Sequence, residues 1–136
     1  MPDVNETILR ELVAKARNAS EHAYCPYSGF SVGAAILTET EDIFTGCNVE
    51  NASYGLTICA ERNAVFQMVT QGRRRIKAVV IYTPTPKPAA PCGACRQVIN
   101  EFGPDALVIS VCDGPDVLRR PLAQLLPDAF GPADLK

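Results

Sequence analysis

Apolar residues at Ile8, Leu9, Leu12, Val13 and Ala16 follow the three-and-four spacing of one helix face and predict an amphipathic helix over 6–17 that runs out near Ser20. The turn-forming run Tyr24-Cys25-Pro26-Tyr27-Ser28-Gly29 ends that pattern, after which 30–37 and 43–49 predict two strands joined by a polar turn at 39–42. A polar, glycine-containing connection over 51–57 leads into 59–69, which has no breaker and carries Ala60, Ala64, Val65 and Met68 at helical positions. Cys59 stands at the start of that helix. The unbroken apolar run Ile76–Tyr82, between Arg73-Arg74-Arg75 and a cluster of prolines, predicts a central strand covered on both faces. Four prolines in 83–91 exclude regular structure there. Beyond them, 94–102 predicts a short helix, 107–112 another buried strand, and 118–126 one or two last helical turns.

Two early strands followed by strand and helix in alternation predict a three-layer α/β/α sandwich around a mixed sheet of about five strands. The 136 residues suit a single domain spanning 1–136, and the proline-rich stretch is too near the C-terminal end to be a linker to a second one. An apolar share of 47% and a charged share of 21% are ordinary for a globular chain. No run approaches the roughly 20 apolar residues of a membrane helix, and the first residues lack a basic-then-apolar leader. The expectation is a cytoplasmic protein without membrane attachment, whose six cysteines are thiols or metal ligands rather than disulfides. A net charge of -2 offers no basic surface for a phosphate backbone, so a small, weakly charged partner is expected in place of nucleic acid.

The chemistry concentrates in two short segments. Cys92 and Cys95, in C-x-x-C spacing, fall on the first turn of one predicted helix, and Cys59 begins another. Helix N-termini present unpaired amides and the positive end of the dipole, both of which favour thiolate over thiol, so three thiolates can converge on one metal. Zinc takes four ligands; three from protein leave one position for water, the mark of a catalytic site. Glu61, two residues past Cys59, can reach over that position as a proton shuttle without being a ligand. Arg62 can offset the charge of the thiolates by hydrogen bonding to them. His22, the one histidine, sits beside the turn segment, and Cys25, Cys47 and Cys112 lie on or near strands and read as core or near-core residues.

Cys59-Ala60-Glu61-Arg62 together with Pro91-Cys92-Gly93-Ala94-Cys95-Arg96-Gln97 resembles the zinc signature of the cytidine deaminase superfamily, in its short, three-cysteine form. The resemblance runs from about Tyr24 to Leu135. Residues 27–35 look like that family's first-strand motif, 46–54 like its ribose-binding segment, and 126–132 like its C-terminal segment. It implies one zinc ion per chain and hydrolytic deamination of cytidine and 2'-deoxycytidine, a pyrimidine-salvage activity, with activated water attacking C4 of the base. Asn48 and Glu50 would then bond the sugar hydroxyls, Phe30 would pack on the nucleoside, and the Ala60 amide would hold the pyrimidine carbonyl. Phe130 would close the pocket, as a wall supplied by a neighbouring subunit of a homotetramer.

Rival readings are a deaminase of a related nucleoside such as blasticidin S or of a base within nucleic acid, and a non-catalytic module whose zinc is closed by Cys25, Cys47 or Cys112. A thioredoxin-like redox pair at Cys92 and Cys95 would need neither Cys59 nor Glu61.

Overall fold

The computed structural model describes residues 4–135. Five strands form one mixed sheet in the order β2-β1-β3-β4-β5: β1 (Gly33–Thr38), β2 (Ile43–Cys47), β3 (Ile76–Tyr82), β4 (Leu107–Val111) and β5 (Leu118–Pro121). Only β3 and β4 run parallel; the other neighbours are antiparallel. A parallel pair needs a crossover, and here it is the loop after β3 followed by α3 (Gly93–Phe102). The remaining helices are α1 (Glu6–Ser20), α2 (Ala60–Thr70) and the single turn α4 (Leu122–Leu125).

Strand side chains alternate between faces, and the two faces have separate cores. Ala34 and Ile36 of β1 and Val79 and Ile81 of β3 point to α2 and α3, where Ala64, Val65, Met68 and Ile99 pack on them. Ala35, Leu37, Ala78, Val80 and Tyr82 point the other way, onto Leu12 and Ala16 of α1. The expected three layers are therefore present, and β1 and most of β3 are buried because both of their sides are covered. Asn5 caps α1 by accepting the Ile8 amide at 2.9 Å.

Two glycines let helices lie directly on the sheet. A Cβ at Gly33 would stand 1.8 Å from the Ala16 carbonyl oxygen, and one at Gly46 would stand 2.5 Å from both the Ala60 oxygen and the Ala64 nitrogen. Gly46 thus sets the distance between β2 and the first turn of α2, where the candidate chemistry begins.

Several boundaries differ from expectation, most by a single residue, and one element changes type. The first strand begins at Gly33 rather than 30, and the second stops at Cys47 rather than 49. In both places the Asn48 side chain takes over from the ladder: its Oδ1 accepts the Val32 amide and its Nδ2 donates to the Phe30 carbonyl, each at 2.8 Å. The strand expected over 107–112 ends one residue earlier. The helical turns expected over 118–126 are corrected to a strand followed by a turn: residues Leu118–Pro121 pair with the open edge of β4, and only Leu122–Leu125 are helical. An unpaired β4 edge is the stronger demand, and it overrides a weak local preference. Arg119 and Arg120 lie exposed on this outermost strand. Among the described residues no helix is long and apolar enough to cross a membrane.

Candidate active site

Cys59 and Cys92 are the N-cap residues of α2 and α3, both in extended backbone conformation, and neither side chain makes a capping bond. Their sulfurs are left facing the free amides and positive ends of two helices. Cys95, fully buried, follows one turn into α3. All three Sγ atoms lie within 4.8 Å of one another, and Cys59 Sγ and Cys92 Sγ are 3.7 Å apart. Tetrahedral thiolates on zinc stand about 3.8 Å apart, so Cys59 and Cys92 already match that spacing and Cys95 lies within an ångström or so of it. Among the described residues no other cysteine, histidine or carboxylate joins the group. Cys112, which could have closed a four-ligand site, is buried elsewhere with its thiol toward the carbonyls of Pro86, Gly114 and Asp116, and Cys25 and Cys47 are half-buried outside the cluster.

The electrostatics favour anionic sulfur. A hydrogen bond from the Cys95 thiol, helped by Arg62 and Cys92 and opposed by burial, brings the Cys59 thiol down to about 5. The same bond to Cys59, reinforced by burial, pushes Cys95 far up. The proton is thereby favoured on Cys95 and the charge on Cys59, to which Arg62 Nη2 donates at 3.5 Å. A divalent cation in place of that proton would hold all three as thiolates. Arg62 Nε is buried with no acceptor among the described residues.

Glu61 is 4% exposed, on the first turn of α2. Burial, with the neighbouring Cys59 charge acting in the same direction, raises its carboxyl above the usual carboxylate range, while its own backbone amide and the charge of Arg62 work against the shift. It lines a cavity of about 190 Å³ together with Phe30, Asn48, Cys59, Ala60 and Cys92. Five of the residues singled out in the sequence, from four separate segments, thus meet around one space with Glu61. The Ala60 amide belongs to the unpaired first turn of α2 and is free to donate there.

The others lie further out. Glu50 lines an adjacent hollow with Tyr27, Ser28, Tyr54 and Thr57, and Thr57 also borders the cavity, so the two spaces meet at that residue. Glu50 Oε1 accepts the amides of Tyr27 at 3.0 Å and Ser28 at 3.1 Å, and the Ser28 hydroxyl donates to Oε2. That hydroxyl is the main reason the Glu50 carboxyl is held below its ordinary value. Phe130 does not reach its own chain's cavity: it is 59% exposed, and its carbonyl is tied to Gln97 Nε2 at 2.8 Å. His22 is exposed and takes no part in the metal cluster.

Several contributors went unnoticed in the sequence. Arg96, inside the cysteine motif, donates from Nε to the Pro91 carbonyl at 2.7 Å and from Nη1 to the Leu125 carbonyl at 2.9 Å, fixing the start of α3 against α4. Asn63 Nδ2 donates to the Cys47 carbonyl at 2.8 Å and fastens α2 to the end of β2. Thr83, Ala89 and Ala90, at the two ends of the proline-rich loop, complete the cavity wall. A polar residue at the end of an otherwise apolar strand was the available sign for Thr83.

Known proteins are similar to this chain in sequence and fold. The model of the cytidine and deoxycytidylate deaminase zinc-binding region matches residues 6–111. A curated cytidine deaminase of Mycobacterium tuberculosis is 47% identical over 135 residues, covering 99% of this chain and 96% of the relative. One from Sporosarcina psychrophila is 44% identical over 128 residues, covering 93% and 94%. A crystal structure of cytidine deaminase from Burkholderia pseudomallei superposes with a TM-score of 0.85 at 48% identity, covering 89% of this chain and 98% of that one. With the three sulfurs converging and the match running from α1 to the end of β4, the chain belongs to the cytidine and deoxycytidylate deaminase family.

Proposed function

We propose that this chain hydrolyses free cytidine and 2'-deoxycytidine to uridine and 2'-deoxyuridine, releasing ammonia, with one zinc ion held by Cys59, Cys92 and Cys95. The observation that carries the reading is a three-sulfur cluster with a buried acid beside it in one cavity: three ligands leave room for chemistry, and Glu61 supplies the proton transfers. Zinc bound there supplies a Lewis acid that makes water a competent nucleophile near neutral pH.

The residues of the chain do the rest. Ionised Glu61 accepts one proton from the attacking water as its oxygen adds to C4, and passes that proton to ring N3. Glu61 then carries the remaining hydroxyl proton to the amine, the C4–N4 bond breaks, and uridine and ammonia are left. Its raised carboxyl suits a group that must both take and return a proton. Arg62 spreads positive charge over Cys59, so that the sulfurs do not quench the acidity of the water. The Ala60 amide holds the pyrimidine carbonyl, and Phe30 packs on the nucleoside. Asn48 and Glu50 face the sugar: three of roughly four acceptor positions on the Glu50 carboxylate are already used, leaving one for a hydroxyl.

The same reading makes the protein a single-domain cytoplasmic homotetramer serving pyrimidine salvage. Metal ligands from both sides of the 83–91 loop favour one domain. Unpaired cysteines favour a reducing compartment. Tyr27, Phe30, Tyr54 and Leu56, all at least 42% exposed beside the cavity mouth, favour a neighbouring copy seated there, with its Phe130 as the missing wall.

Ammonia release from cytidine, deoxycytidine, cytosine, blasticidin S and single-stranded DNA tests the assignment. Uridine products from the first two and little from the rest are expected. Zinc-loaded protein inert toward both nucleosides would overturn it.

A further inference from the structure

Thr83 follows β3 directly and lies on the same face as Val79 and Ile81, toward α2 and α3. It is 1% exposed and borders the cavity that contains Cys59, Glu61 and Cys92. Its hydroxyl oxygen is 2.7 Å from that of Thr85, and the Thr85 hydroxyl donates to the Lys87 carbonyl, also at 2.7 Å. A hydroxyl has one hydrogen. Since the hydrogen of Thr85 is committed to Lys87, the contact between the two threonines requires Thr83 to donate. The Thr83 oxygen is therefore left with lone pairs alone, an acceptor that has no hydrogen to offer anything bound beside it.

That polarity matters because deamination changes the sign of a single position on the ring. Cytosine carries an amino group at C4, a donor of two hydrogens, and uracil carries a carbonyl oxygen, an acceptor. We propose that Thr83 is a specificity-determining residue that accepts a hydrogen from the C4 amine of the substrate and repels the C4 oxygen of the product, so that uridine leaves readily. The inference rests on the cytidine deaminase reading and extends it from bond breaking to product release. A site built around a committed donor–acceptor pattern discriminates most strongly against a ligand whose polarity is reversed. Thr85 and the Lys87 carbonyl enforce that pattern from outside the cavity.

The test compares the inhibition constant of uridine with the KM of cytidine in wild type and three variants, alongside zinc content and Tm. Thr83→Val keeps the shape and removes the acceptor: the ratio of uridine Ki to cytidine KM should fall about fivefold, about 1 kcal/mol, with zinc retained. Thr83→Ser should restore the wild-type ratio. Thr85→Val frees the Thr83 hydrogen, so uridine should bind more tightly while the cytidine KM changes little. An unchanged ratio in Thr83→Val, whatever happens to kcat, would overturn the proposal, as would Thr83→Ser behaving like Thr83→Val. Wild-type protein that leaves cytidine untouched would instead overturn the deaminase reading beneath it.

Discussion

The two ends of the cavity are built on opposite principles. At the inner end, groups from α2 and α3 crowd together with their demands unmet: three sulfurs within 4.8 Å, a carboxyl lifted by burial, and an arginine nitrogen with no acceptor among the described residues. At the mouth the polar groups are already satisfied by nearby backbone. Asn48 is bonded to Phe30 and Val32, and Glu50 to Tyr27 and Ser28. What the mouth lacks is cover, for Tyr54 is 74% exposed and its edge-to-face partner Tyr27, with ring centroids 5.7 Å apart, is 50% exposed. The inner end has its ligands gathered and needs an ion; the outer end has most of its hydrogen bonds made, with one Glu50 acceptor position kept for a hydroxyl, and needs a surface. Chemistry and recognition therefore depend on different additions, which makes them separable by mutation.

The contrast predicts a graded series. Glu61→Gln strikes the inner end alone: kcat should fall about 10³-fold while zinc per chain and cytidine binding persist, as measured by metal analysis and inhibitor titration. Phe130→Ala strikes the mouth alone, raising the cytidine KM about tenfold with kcat nearly intact, if a partner's ring covers the nucleoside. A rise in KM that depends on protein concentration would tie the effect to assembly. Gly46→Ala breaks the seat of the inner end on the sheet, because a methyl there meets the backbone of Ala60 and Ala64 at 2.5 Å. Thermal unfolding should register about 3 kcal/mol of lost stability, or roughly 10 °C in Tm.

The smallest effect is one of pH at the mouth. The folded-state carboxyl of Glu50 is depressed, chiefly by the Ser28 hydroxyl. Its contribution to stability is then present above the unfolded carboxylate value and disappears as pH falls through the lower folded value. Melting curves of wild type and Glu50→Gln should stay apart at neutral pH and converge only below the usual carboxylate range. Convergence already near neutrality would show that Glu50 is not held by those bonds.

How much of this could be read beforehand depended on whether the determining forces were local. The run Ile76–Tyr82 is buried on both faces and fixed its own boundaries, and the cysteines at 59, 92 and 95 sit at helix starts that apolar spacing locates well. The short strand β5 was hidden because four residues carry no period and its formation depends on the free edge of β4. The ends of β1 and β2 were overestimated because one side chain, Asn48, outcompetes the ladder. The Arg96 clamp and the Thr83–Thr85–Lys87 relay depend on where the loop 83–91 folds back, which proline content alone does not specify. Fold class and metal ligands were thus legible from spacing, whereas the parts that orient them were tertiary.

The most direct test of the account is the absorption spectrum of the cobalt-substituted protein, recorded with and without uridine. Three thiolates and an open fourth position predict a tetrahedral spectrum with sulfur charge-transfer bands that shifts when the nucleoside occupies the cavity, and that is lost in Cys59→Ser. A spectrum of four sulfur ligands, indifferent to uridine, would contradict it.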